Sequence, residues 1–139
     1  MKSTVKLDRN MRLIGTNPKG LETVFDTVQE VGGENTAATP MEIMLQSLAG
    51  CSAMDVLSIL RKKRKQVDEF WIDIEGERAD EHPKVFTKVH LVYNLKSPDA
   101  KEKDLIRSVE LSQDKYCGAS GMFKASGCEV TFETNLIKS

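Results

Sequence analysis

Thr39-Pro40-Met41-Glu42-Ile43-Met44-Leu45-Gln46-Ser47-Leu48-Ala49-Gly50-Cys51 holds the clearest helix start in the chain, and the fold class follows from it. Thr39 stands at the N-cap, Pro40 at the first helical position, and Glu42 three residues after Thr39. Proline is well placed there, because its missing N–H would be unpaired in the first turn anyway. The threonine oxygen and the glutamate carboxylate can each accept from an otherwise unpaired backbone N–H, which makes a capping box. Beyond the cap, Met44, Leu45, Leu48, Val56, Leu57, Ile59 and Leu60 spread around much of the helix circumference. A helix of that kind is expected to be buried on more than one side, centrally or at a subunit interface. Gly50 costs roughly 1 kcal/mol relative to alanine in a helix interior, so a kink or close packing beside Cys51 is expected there. The helix runs out in Arg61-Lys62-Lys63-Arg64-Lys65, where the macrodipole favours cations.

Upstream, the residues read as a meander of short strands. Val5 and Leu7 alternate with Lys6, Asp8-Arg9-Asn10 makes a turn, and Met11 and Leu13 begin a second strand. Asn17-Pro18-Lys19-Gly20 is a strong turn signal, after which Leu21, Thr23 and Phe25 share one face of a third strand. Downstream, Phe70, Ile72 and Ile74 alternate with polar residues, and Val85, Thr87, Val89, Leu91 and Tyr93 alternate with Phe86, Lys88, His90 and Asn94. A second helix is predicted from about Pro98 to Asp114, and a last strand carries Cys128, Val130, Phe132 and Leu136 on one face. The order βββ-α-ββ-α-β predicts an α+β fold with helices on largely antiparallel sheet. At 139 residues, 1–139 is expected to be a single domain.

The totals exclude several classes. Lys plus Arg number 20 against 21 Asp plus Glu, which gives no electrostatic reason for a nucleic-acid or membrane-surface partner. The basic run at 61–65 therefore reads as a solvated helix end. Met1-Lys2-Ser3-Thr4-Val5-Lys6 lacks an apolar signal core, and no uninterrupted apolar run approaches the roughly 18 residues of a membrane span. A cytoplasmic location is expected, where thiols are kept reduced and a disulfide would be transient. The three cysteines are an odd count, which also argues against a fully paired framework.

Cys51 and Cys117 carry the chemistry. They are too far apart for a C-x-x-C motif and lack the paired spacing of a zinc site. If folding joins them, they form a thiol pair able to cycle through a disulfide. Cys51, among Leu48, Ala49, Ala53 and Met54, also suits a small buried hydrophobe. Cys117 precedes Gly118-Ala119-Ser120-Gly121, which can open a helical turn whose free N–H groups would acidify the thiol. Cys128 is assigned to packing. Glu42 has a sufficient role in the cap, and nine residues of ideal helix turn through about 900°, setting it opposite Cys51. Asp55, one turn after Cys51, is an alternative carboxylate partner. His82 and His90 have no spacing that recommends a metal or nucleophile pair.

Thr39-Pro40-Met41-Glu42, then Leu48-Ala49-Gly50-Cys51-Ser52-Ala53-Met54-Asp55-Val56, with Tyr116-Cys117-Gly118-Ala119-Ser120 downstream, resembles the OsmC/Ohr family of osmotically inducible and organic-hydroperoxide-resistance proteins. The resemblance spans nearly the whole chain. It implies antiparallel sheets around long central helices in an intertwined homodimer, with sites at the subunit boundary. It implies that Cys51 is the peroxidatic thiol and Cys117 the resolving one, joined as a disulfide that an external dithiol reduces. An organic hydroperoxide is then the substrate, and no cofactor or metal is needed. Three departures point to the OsmC-like branch. Family members that resist hydroperoxides place glutamate directly after the proline, whereas here Met41 stands there and Glu42 follows. They activate the thiol with an arginine near the N-terminal hairpin, where Arg9 and Arg12 lie and Arg9 is taken as the candidate. Gly118-Ala119-Ser120 replaces their Pro-Val-Ser. The alternative is a small-ligand-binding or redox-sensing protein on the same scaffold, with weak or no peroxidase activity.

Overall fold

Turn chemistry sets the N-terminal strands. In a computed structural model, which describes residues 1–139, the contacts separate into two units, Met1–Met44 and Leu45–Ser139. In the first unit, β1 (Thr4–Arg9), β2 (Arg12–Thr16) and β3 (Glu22–Phe25) form an antiparallel sheet in sequence order. Leu7 faces Leu13, and Ile14 faces Val24. Asn17 builds the second turn as its sequence predicts: its side-chain oxygen accepts from the N–H groups of Lys19 and Leu21, both at 3.0 Å. Gly20 then adopts φ +80°, the left-handed conformation that glycine reaches without strain.

Buried Asp26 clasps the loop after β3. Its carboxylate accepts from the backbone N–H of Thr27, Glu34 and Thr36 and from the Thr36 hydroxyl at 2.6 Å. Those bonds, led by the Thr36 hydroxyl and partly opposed by burial, hold its pKa well below the usual carboxylate range.

Helix α1 (Pro40–Lys62) begins in the first unit with the predicted capping box. Glu42 Oε1 accepts from Thr39 N–H at 3.2 Å and Thr39 Oγ1–H at 2.8 Å, while Glu42 N–H donates back to Thr39 Oγ1 at 3.3 Å. Its length and apolar composition are enough to cross a membrane. Glu42, Gln46 and Asp55 interrupt the apolar run, however, and Leu48, Ser52, Val56 and Leu60 form a buried stripe at four-residue spacing. That is the pattern of a core helix. Within the single chain only this stripe is fully buried, and Met54 on another side is 75% exposed. Gly50 sits in unbroken helix, and a Cβ there would meet nothing within 4 Å, so no close packing offsets its cost.

The second unit holds a sheet of β4 (Glu69–Arg78), β5 (Phe86–Ser97) and β6 (Glu129–Lys138), with β5 central. β4 and β5 run antiparallel, but β5 and β6 are parallel. The sequence pattern did not predict that parallel pair. The chain between them holds α2 (Glu102–Leu111), a π-helical turn (Ser112–Tyr116) and α3 (Gly118–Ala125), and such a crossover returns the strand in the same direction. Val89, Leu91, Tyr93 and Leu95 of β5 form the core with Leu48, Val56 and Leu60 of α1 and Leu105 and Val109 of α2. Arg78 pairs with Phe86 while Glu77 pairs with Lys88, so Thr87 is an unpaired bulge residue. The bulge brings Phe86 to the buried face, where its ring centroid lies 5.7 Å from that of Phe123. Strict alternation places it on the other face.

Candidate thiol site

Each cysteine is placed by its own helix. Cys51 lies on α1 directly before the buried stripe residue Ser52 and is half-buried. Cys117 closes the π-helical turn and is the N-cap of α3. The wider turn lets Cys117 N–H reach Ser112 C=O at 2.8 Å, and it buries the side chains of both Ser112 and Gln113. Turns of this kind concentrate at functional positions. As N-cap, Cys117 Sγ accepts from Ser120 N–H at 3.3 Å.

The two thiols meet. Cys117 is 5% exposed, and Cys51 is close enough to act on its titration both as a side-chain partner and as a charge. Burial pushes the Cys117 thiol up to about 11; the Ser120 N–H opposes this, while the neighbouring Cys51 side chain and the charges of Cys51 and Asp55 reinforce it. The helix N-terminus was expected to acidify this thiol. Its single N–H bond is present but outweighed by burial and by negative neighbours. All three cysteines are free, and Cys128, also buried, sits just before β6 with its pKa raised by burial and by Glu129.

A polar cluster adjoins the pair, although the sequence reading did not single it out. Ser52 Oγ lies 2.6 Å from Tyr93 Oη and 2.7 Å from Ser112 Oγ. Ser112 Oγ–H donates to Asp55 Oδ2 at 2.9 Å, Gln113 Nε2–H donates to Tyr93 Oη at 2.7 Å, and Ser120 Oγ–H donates to Gln113 Oε1 at 2.6 Å. Lys124 Nζ donates to the Gln113 carbonyl at 2.7 Å. Burial raises the Tyr93 pKa against the bonds with Ser52 and Gln113, with Cys117 and Asp55 adding to the rise. One signal was available: a serine at position 52, four residues from Leu48 and from Val56, must find a partner inside the core.

The remaining candidates have other partners. Glu42 is engaged in the capping box of α1. Arg9 Nε donates to Glu34 Oε2 at 2.8 Å and Nη1 to Asp8 Oδ2 at 3.2 Å, and Arg12 binds Asp8 and the Thr36 hydroxyl. His90 lies between Thr131 and Glu133. No three His, Cys, Asp or Glu side chains are grouped so as to hold a metal ion.

The α+β scaffold that carries the two thiols is found among known proteins. The model of the family described as OsmC-like protein matches residues 33–133, and the chain belongs to that family. It is 32% identical over 124 residues to Protein YhfA of Escherichia coli (strain K12), covering 89% of this chain and 90% of that one. A hypothetical protein from Aquifex aeolicus VF5 has the same fold, with TM-score 0.80 and 29% identity over 97% of this chain and 96% of that one. An organic hydroperoxide resistance protein OsmC from Legionella pneumophila shares the fold at TM-score 0.67 and 14% identity, covering 97% of each chain.

Proposed function

We propose that this protein is a thiol-dependent peroxidase that reduces organic hydroperoxides, working as a homodimer in the reducing cytoplasm. The observation that carries this reading is that half-buried Cys51 and buried Cys117, both free, are near enough for one to perturb the titration of the other. Membership of a family with neighbours named for organic hydroperoxide resistance supports it.

The Cys51 thiolate attacks the terminal oxygen of ROOH. The O–O bond breaks, the sulfur loses two electrons to become a sulfenic acid, and the alkoxide takes a proton from water to leave as ROH. Cys117 sulfur then attacks Cys51 sulfur; the S–O bond breaks, and the Cys117 proton goes to the departing hydroxide as water. An external dithiol reduces the Cys51–Cys117 disulfide by exchange, becoming a disulfide itself. Burial of Cys117 suits the resolving role and the accessibility of Cys51 the peroxidatic one. Glu42 and Arg9 are the proposed activators of Cys51, on the family resemblance alone. The exposed Met54 face of α1 supports the homodimer.

Cys51→Ser is expected to abolish turnover of cumene hydroperoxide with dithiothreitol as reductant, whereas Cys117→Ser allows one oxidation and then overoxidation. Unchanged turnover by Cys51→Ser sinks the reading. A second reading, a redox sensor with slow turnover, is favoured by the Cys117 thiol held up to about 11, which keeps its thiolate scarce at neutral pH. Stoichiometric disulfide formation without sustained turnover separates the two.

A further inference from the structure

The hydrogen bonds around Tyr93 have one consistent direction. A carboxylate only accepts, so Ser112 donates to Asp55. With its single proton committed, Ser112 accepts from Ser52. Ser52 in turn accepts from Tyr93, and Tyr93 accepts from Gln113 Nε2–H. At the far end Gln113 Oε1 accepts from Ser120 Oγ–H, and the N–H of that same Ser120 rests on Cys117 Sγ. The series runs from the first turn of α3, through β5 and α1, to half-buried Asp55. Ser52, Tyr93, Ser112, Gln113 and Ser120 are all buried. Every buried side-chain nitrogen and oxygen finds a partner, and apolar packing of equal volume would stabilise the fold as well or better. A satisfied polar series is suited to fixing geometry, and this one ends on the Cys117 sulfur.

We propose that Tyr93 and Asp55 are positioning residues for disulfide closure: the directed series from Asp55 to Ser120 holds the α3 N-cap so that Cys117 Sγ is aligned on Cys51 sulfur. This rests on the peroxidase reading for the natural oxidant, but closure itself is measurable without a peroxide. Diamide serves: Cys51 sulfur adds across its N=N bond, then Cys117 sulfur displaces the hydrazine, which leaves with the Cys117 proton. Two thiols are oxidised and one diamide is reduced. The ionisable groups around Cys117 are Cys51 and Asp55 on α1 and Tyr93 on β5, while Lys124 on α3 is held at the Gln113 carbonyl.

The test follows adduct formation and closure by stopped-flow and peptide mapping, in the full-length reduced protein, from pH 6 to about 10. Tyr93→Phe keeps the ring and its edge contact with Phe132 but breaks the series. It removes the bonds to Ser52 and from Gln113 and is expected to slow closure relative to adduct formation at least about tenfold. Asp55→Ala removes the acceptor that ends the series, so closure is expected to slow relative to adduct formation, whereas Asp55→Asn keeps an acceptor for Ser112 and is expected to restore the ratio, a rescue that loss of charge alone would not produce. A wild-type closure ratio in Tyr93→Phe or in Asp55→Ala overturns the proposal. Should Tyr93→Phe fail to fold, Ser112→Ala carries the same ratio test. Wild type that closes with diamide but is inert to tert-butyl hydroperoxide removes the peroxidase reading and leaves the closure ratios to decide this one. Failure of wild type to close with diamide overturns both.

Discussion

At the scale of single residues, Cys117 and Asp26 titrate in opposite senses, and each leaves a mark on stability. Cys117 binds its proton more tightly folded than unfolded, so the unfolded chain holds fewer protons between its ordinary 9.0 and about 11. The contribution is therefore complete below pH 9 and is lost as pH rises toward the folded value. Its size is about 3 kcal/mol at full loss. Urea midpoints of reduced protein from pH 8 to about 11 should fall more steeply for wild type than for Cys117→Ala; parallel curves would refute the burial argument. Asp26 works the other way. Its folded carboxyl is more acidic than the unfolded one, so its contribution is present above about pH 4 and is lost as pH falls through the folded value. Asp26→Asn places an amide where Thr36 N–H and Oγ–H both donate. The variant should show a lower urea midpoint at pH 7 and a flatter decline into acid, and a midpoint equal to wild type would show that the clasp is dispensable.

At the scale of elements, β4 and α1 meet where Gly76 has no side chain. A Cβ there would lie 2.8 Å from the Phe86 ring and 3.1 Å from Leu45 Cδ2. Phe86 is buried and stacked near Phe123, so it has little room to yield. Gly76→Ala is expected to cost about 1–3 kcal/mol, read as a lower urea midpoint, and an unchanged midpoint would mean that the bulge at Thr87 relaxes instead. The sequence made legible whatever is local. The α1 cap, the Asn17 turn and the alternation of β4 depend on residues within a few positions of one another, and each was readable. The parallel course of β6, the bulge that turns Phe86 inward and the π-helical turn before Cys117 depend on distant pairings, which no short window contains. The site divided in the same way. The two cysteines stood out by type and by family resemblance, but Ser52 meets Tyr93 across 41 residues and Ser112 across 60. The cap at Glu42 was legible because a cap is a three-residue relation, whereas a role for Glu42 beside Cys51 depends on packing that the sequence does not contain.

At the scale of the whole molecule, α1 poses the remaining problem of apolar surface. Its stripe through Leu48, Val56 and Leu60 is fully buried, yet Met54 is 75% exposed, and Met54, Leu57, Ser58, Arg61 and Lys62 line an open groove of about 450 Å³. A helix apolar on a second side is stable in water only if that side is covered. A second copy of the chain meets the requirement, because an isologous contact presents the same apolar side to itself. Sedimentation equilibrium at micromolar concentration should then give about twice the 15.5 kDa of one chain. Met54→Glu would set an unpaired carboxylate in that contact, at a cost of about 3–5 kcal/mol, and weaken association more than about a hundredfold. The variant should sediment as a monomer with its far-ultraviolet dichroism unchanged, since Met54 is outside the core that folds each chain. A wild-type mass of one chain across that concentration range would leave the groove open to solvent and withdraw the homodimer. A Met54→Glu protein that still sediments as a dimer would place the contact on another surface.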